Sequence, residues 1–200
     1  MLKVLLATDN PGKIREMSSL LEGNDWQITT LGDENINVNV EESGETFEEN
    51  AAIKARAYLA SSGLITVADD SGLEVEALKG EPGVRSARYA GDNASDADRV
   101  EYLLTKLAGV PLEERKARFR CVIAIAFPEG NIEFCEGECP GVIAMEPRGE
   151  NGFGYDPIFF LPELGKMMAE LDEQDKNKIS HRGKAARKAR DFLKEVLDKQ

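Results

Sequence analysis

The stretch Lys3–Gly23, KVLLATDNPGKIREMSSLLEG, constrains the fold most, because its two halves call for different secondary structure with almost no chain between them. Lys3 to Thr8 is an apolar β-type run. Asn10 then stands where an N-cap belongs, Pro11 suits a first helical turn, and Gly23 is a stop signal. A strand that passes through a tight loop into a helix is the repeating unit of α/β architecture.

Later segments repeat the alternation. Thr46 can cap a second helix that carries Phe47, Ala51, Ala55, Tyr58 and Leu59 on one face. Leu64 to Ala68 reads as a strand that meets a polar bend, Asp69-Asp70-Ser71-Gly72, after which alternation resumes at Leu73, Val75 and Ala77. Residues 79–95 are rich in loop formers, and Ser95 or Asp96 can cap a third helix. Ala117 to Glu146 reads as long strands around the turn Pro128-Glu129-Gly130-Asn131, and a last helix runs from about His181 to Asp198. Helices interleaved with strands, plus a strand-rich middle, predict an α/β protein with a mixed sheet rather than a fully parallel one.

Charge limits the function. With 37 acidic against 25 basic residues the formal charge is −12, which argues against a general nucleic-acid binder. An anionic ligand must therefore meet a local cluster of cations, for which Lys13, Arg85, Arg88, Lys176, Arg182, Lys184, Arg187, Lys188 and Arg190 are candidates. No apolar run approaches the roughly 20 residues of a membrane span, and the opening MLKVLLATDN turns polar without a cleavage-type region, so a cytoplasmic protein without membrane contact is expected. Cys121, Cys135 and Cys139 cannot all pair with one another, which fits a reducing compartment, and Cys135 with Cys139 lacks further ligands for zinc.

Four stretches carry chemistry. In TDNPGK (Thr8 to Lys13), a strand end followed by a helix start exposes backbone N–H groups and the positive end of the helix dipole to an anion, although the spacing is not that of a P-loop and, taken alone, the stretch is explained better as a plain helix-start turn. In ADDSG (Ala68 to Gly72), neighbouring side chains point to opposite faces, so one aspartate should face a ligand and the other the scaffold. Such oxygen donors suit Mg²⁺, and Glu41 or Glu42 can add a second carboxylate. In GFGYDPIFF, Phe153 and Tyr155 lie among glycines and can stack on a base or pack in the core, while Ile158 to Phe160 reads as a buried strand. Finally, His181, the single histidine, stands with Arg182 in the first turn of a basic helix behind Ser180 as N-cap, with Lys176 in a polar loop before it. Cations there oppose the helix dipole, which points to an anionic or carbonyl-bearing ligand at the helix start.

TDNPGK, ESGETFEENAAIKA, ADDSGLEV, PGVRSARYAG, GFGYDPIFF and SHRGKA, in this order and over nearly the whole chain, resemble the inosine triphosphate pyrophosphatase family. One departure is Asp9, where the family often has Gly. The resemblance implies a single domain over residues 1–200: a two-lobed α/β subunit with a mixed twisted sheet flanked by helices and the site in the cleft between the lobes. It further implies Mg²⁺-dependent hydrolysis of ITP, dITP or XTP to the monophosphate and pyrophosphate, by a homodimer. On this reading Asp70 is the general base and a metal ligand, with Glu41 at the metal. Thr8, Asp9, Asn10, Pro11, Gly12, Lys13 and Ser71 hold phosphates and sugar, and Phe153, Gly154, Tyr155, Asp156, Lys176, His181 and Arg182 enclose the base. Two other classes compete: an aspartate-nucleophile phosphatase, which usually needs two Asp separated by one residue on one face, and a nucleotide sensor that binds without turnover.

Overall fold

The computed structural model describes residues 1–198. In chain order the elements are β1 (Leu2–Leu6), α1 (Pro11–Leu21), β2 (Trp26–Thr30), α2 (Phe47–Ser62), β3 (Ile65–Val75), α3 (Asp96–Lys106), β4 (Lys116–Ala126), β5 (Ile132–Ile143), β6 (Phe159–Leu161), β7 (Lys166–Met167), α4 (Glu173–Ile179) and α5 (His181–Leu197). The strands form one seven-stranded sheet in the order β2-β1-β3-β4-β5-β6-β7. β1 runs parallel to β2, with Val4 opposite Ile28, and parallel to β3, with Leu5 opposite Thr66. β6 is antiparallel to both β5 and β7, so the sheet is mixed as expected.

Helix starts follow the expected chemistry. Asn10 Oδ1 accepts from the N–H groups of Gly12 and Lys13 at 2.9 and 3.1 Å, and Pro11, which has no N–H to satisfy, opens α1. Thr46 and Glu49 make a reciprocal capping box on α2, and Ser95 with Asp98 does the same on α3.

The chain divides into two units. The first comprises residues 1–70, 121–137 and 182 onward; its core joins Val4 and Leu6 of β1, Met17 and Leu21 of α1, Ile123 and Ile125 of β4, and Ala185, Ala189 and Leu193 of α5. The last three recur every fourth residue, the spacing of one helix face. The second unit comprises residues 71–120 and 138–181; its core joins Leu73, Leu103, Phe119, Ile143, Tyr155, Ile158 and Phe159.

Two local expectations are corrected. The Asp69–Gly72 segment is no bend: β3 runs unbroken from Ile65 to Val75, because a central strand with partners on both edges gains more from ladder pairing than the turn preferences of Asp, Ser and Gly can offset. Lys176 lies in a helix rather than a loop: Asp172 accepts from the Asp175 N–H at 2.8 Å and caps α4, which leaves Lys176 only 3 % exposed. β2, β7 and α4 were not anticipated at all.

Candidate functional site

In the first unit, β3 sends its two aspartates into different surroundings. Asp69 is buried; its Oδ2 lies 2.8 Å from Lys13 Nζ and 4.0 Å from Arg182 Nε. Burial alone would raise its pKa, but Lys13, Arg182 and Lys54 outweigh that and hold it down at about 2. Its surroundings favour the ionised form of Asp69. Arg182, itself buried, also donates from Nη1 to Glu16 Oε2 at 2.6 Å.

Asp70 is the opposite case. Its Oδ2 accepts from Asn50 Nδ2 at 3.1 Å, and its Oδ1 stands 3.8 Å from Lys54 Nζ, which also pairs with Glu42 at 2.8 Å. Desolvation outweighs the help of Lys54 and Lys13 and pushes the Asp70 carboxyl up to about 6, with Glu42 and Asp69 adding repulsion. Lys54 is shared between Asp70 and Glu42, so it offsets only part of that cost. A desolvated carboxylate with a pKa near neutrality is the form of a general base, and one that welcomes a further cation.

Asn50 joins this carboxylate to the acidic loop before α2, since its Oδ1 accepts from the Gly44 N–H at 2.8 Å. On that loop Glu41 is exposed and Glu42 is half-buried against Lys54. The Thr8–Lys13 segment is internally bonded: Thr8 Oγ1 accepts from the Asn10 N–H at 3.2 Å, and Asn10 in turn takes the N–H groups of Gly12 and Lys13. The attraction this helix start retains for an anion is its dipole and the charge of Lys13.

In the second unit the GFGYD stretch is a tight turn. Asp156 Oδ2 accepts from the Phe153 N–H at 2.9 Å and from Lys176 Nζ at 2.5 Å. Gly152 has φ +78, and a β-carbon there would stand 2.1 Å from the same oxygen, so the turn requires glycine. Lys176 Nζ sits 4.9 Å from the centre of the half-buried Phe153 ring, a cation–π pair. Tyr155 is committed to the core, its hydroxyl donating to the Ser86 carbonyl at 2.9 Å, so Phe153 is the stacking candidate of the two. His181 is buried and stacks on Phe119, with centroids 4.7 Å apart and planes 12° from parallel. Ser71 is half-buried on β3.

The structure thus groups Lys13, Asp69, Asp70 and Arg182 within one unit, and Phe153, Asp156 and Lys176 within the other. Glu16, Asn50 and Lys54 were not anticipated. Asn50 and Lys54 were readable in principle, as two polar residues one helical turn apart on the helix face that carries Phe47, Ala51 and Tyr58; Glu16 gave no comparable signal.

Fold and side chains define an α/β protein with a cluster of cations and carboxylates in one unit and an aromatic turn in the other. The chain belongs to the Ham1 family, whose model matches residues 4–192. It is 52% identical over 192 residues to the dITP/XTP pyrophosphatase of Desulforamulus reducens, covering 96% of each chain, and 45% identical over 193 residues to that of Bacillus subtilis, covering 96% of this chain and 98% of the relative. A HAM1 protein structure from Coxiella burnetii superposes with a TM-score of 0.89 at 45% identity, covering 98% of this chain and 100% of the other.

Proposed function

We propose that this chain hydrolyses ITP, dITP and XTP to the nucleoside monophosphate and pyrophosphate, clearing these non-standard purines before they enter nucleic acid. The observation that carries the reading is Asp70, a buried carboxylate beside Lys54 whose pKa desolvation raises to about 6, in a chain close over nearly its whole length to dITP/XTP pyrophosphatases.

Mg²⁺ is the cofactor this chemistry calls for, and the residues fit it. The desolvated Asp70 carboxylate offers oxygen to a hard cation. Among the described residues no three His, Cys, Asp or Glu side chains gather into a metal cage. One or two carboxylates with the remaining positions left to water and substrate phosphates is the coordination Mg²⁺ prefers. Asp70 and Glu41 are the proposed ligands, since Glu42 is engaged by Lys54. Bound there, the metal would neutralise charge on the phosphates and on the departing pyrophosphate.

Asp70 takes the proton of the water that attacks the α-phosphorus, and Asn50 and Lys54 hold its two oxygens in place. Lys13, anchored by Asp69, offers positive charge to the phosphates, with Thr8, Asp9, Asn10, Pro11 and Gly12 shaping the loop around it and Ser71 at the sugar. Phe153 stacks on the base, on a turn formed by Gly154, Tyr155 and Asp156 and braced by Lys176. His181 and Arg182, opening α5, supply donors suited to a C6 carbonyl. Adenine presents an amino donor at that position, and buried donors left unpaired in this way cost up to ~10⁴-fold in discrimination. A cytoplasmic homodimer acting on free nucleotides, without nucleic acid or membrane, completes the reading.

The test is steady-state kinetics on ITP, dITP, XTP, GTP and ATP with Mg²⁺ and with EDTA. The first three should be hydrolysed at least ~10²-fold more efficiently than ATP, and activity should vanish with EDTA and return with Mg²⁺. Equal kcat/KM for ATP and ITP would reject the base assignment, and binding without turnover would favour a sensor.

A further inference from the structure

Two consecutive N–H groups of the aromatic turn end on two carboxylates of different origin. Phe153 N–H is bonded by the turn's own Asp156, whereas Gly154 N–H donates at 2.7 Å to Oδ2 of Asp96, the first residue of α3 and 58 positions earlier in the chain. Asp96 is itself held. Arg99 pairs with its Oδ1 and also donates from Nη1 to the carbonyls of Ala87 and Ala94, at 2.9 and 2.6 Å. Tyr155 fastens the other side of the turn to Ser86, the neighbour of Ala87. The start of α3, the 83–88 helical turn and the aromatic turn are therefore interlocked, with Asp96 as the link to the backbone beside Phe153.

A turn with positive φ at both Gly152 and Gly154 has many accessible conformations and gains most from an outside tether. We infer that Asp96 is a positioning residue for base recognition: it fixes the Gly154 peptide and thereby presents the Phe153 ring in one orientation to a purine. This rests on the reading of Phe153 as the stacking residue. Asp96 touches no substrate in this scheme. Its half-exposed carboxylate is engaged instead by one backbone donor and one guanidinium of its own unit.

The experiment is a double-mutant cycle on the full-length enzyme with ITP and Mg²⁺, accompanied by amide hydrogen exchange at Gly154. D96A should raise KM for ITP about tenfold, the size of one lost hydrogen bond to a charged group, with kcat within about twofold of the parent. D96N keeps a carbonyl acceptor for the Gly154 N–H and should stay within about threefold of the parent KM. In the F153A background, D96A should add less than about twofold, because there is no ring left to orient. Gly154 exchange should accelerate at least about tenfold in D96A and stay slow in D96N. An equal KM penalty with and without Phe153, or a D96N variant as impaired as D96A, would overturn the inference and assign Asp96 to general support of α3. Unchanged Gly154 exchange in D96A would overturn the tether itself. F153A with parental KM would reject stacking, and with it the purpose assigned to Asp96, while the exchange rates still report whether the tether exists.

Discussion

Asp69 and Asp70 are adjacent, identical in chemistry and opposite in behaviour. Asp69 sits among Lys13, Arg182 and Lys54 and is depressed to about 2; Asp70 is desolvated beyond what Lys54 and Lys13 offset and is raised to about 6. Asp69→Asn leaves buried cations uncompensated and should cost about 3–5 kcal/mol of stability, read by urea unfolding. Asp70→Asn should instead lose at least ~10²-fold in kcat while folding normally. The pH dependence separates them further. A carboxyl whose folded pKa is raised favours the folded state while protonated, and that contribution is lost as the pH climbs from its ordinary 3.8 through about 6. Metal-free Asp70→Asn should accordingly match the parent below pH 4 and become the more stable protein as the pH rises through about 6. For Asp69 the sign reverses: its contribution is present above 3.8 and fades as the pH falls toward about 2. A pH-independent stability difference for Asp70→Asn would contradict this division. That the two residues differ followed from strand alternation alone. Which carboxylate would be desolvated required Lys54 and Asn50, brought to Asp70 from α2, 16 and 20 positions earlier in sequence.

The elements that were legible carry their own boundary chemistry. Asn10, Thr46 and Ser95 cap α1, α2 and α3 as their side chains require. The misread elements are those decided by non-local partners. β3 continues through Asp69-Asp70-Ser71-Gly72 because β1 and β4 flank it, and α4 is only seven residues long, too short for periodicity to reveal. The former correction matters to function, since an unbroken strand holds Asp70 rigidly where a bend would leave it on a flexible loop. α2 reaches this strand through Asn50, whose amide bonds both Gly44 N–H and Asp70. Asn50→Ala should therefore lower kcat for ITP and lose about 1–3 kcal/mol of stability, measured by turnover and urea unfolding on one preparation. Parental values of both would mean that the carboxylate keeps its place without this tie.

At the scale of the molecule, the acidic surplus of the chain and the cationic groups of its first unit are reconciled by locality. A formal charge of −12 repels polyanions in general, while Lys13, Lys54 and Arg182 cluster at the one place where a triphosphate with its metal is proposed to bind. The homodimer is expected on family grounds. Light scattering at micromolar concentration should give twice the 22.0 kDa of the chain, and the monomer mass would count against it. The central claim, water attack on the α-phosphorus with Asp70 as base, is tested most directly by hydrolysing ITP in ¹⁸O-labelled water and weighing the products. IMP carrying one ¹⁸O beside unlabelled pyrophosphate is expected. Labelled pyrophosphate, or IDP with inorganic phosphate, would place the attack elsewhere on the chain of phosphates and contradict the mechanism.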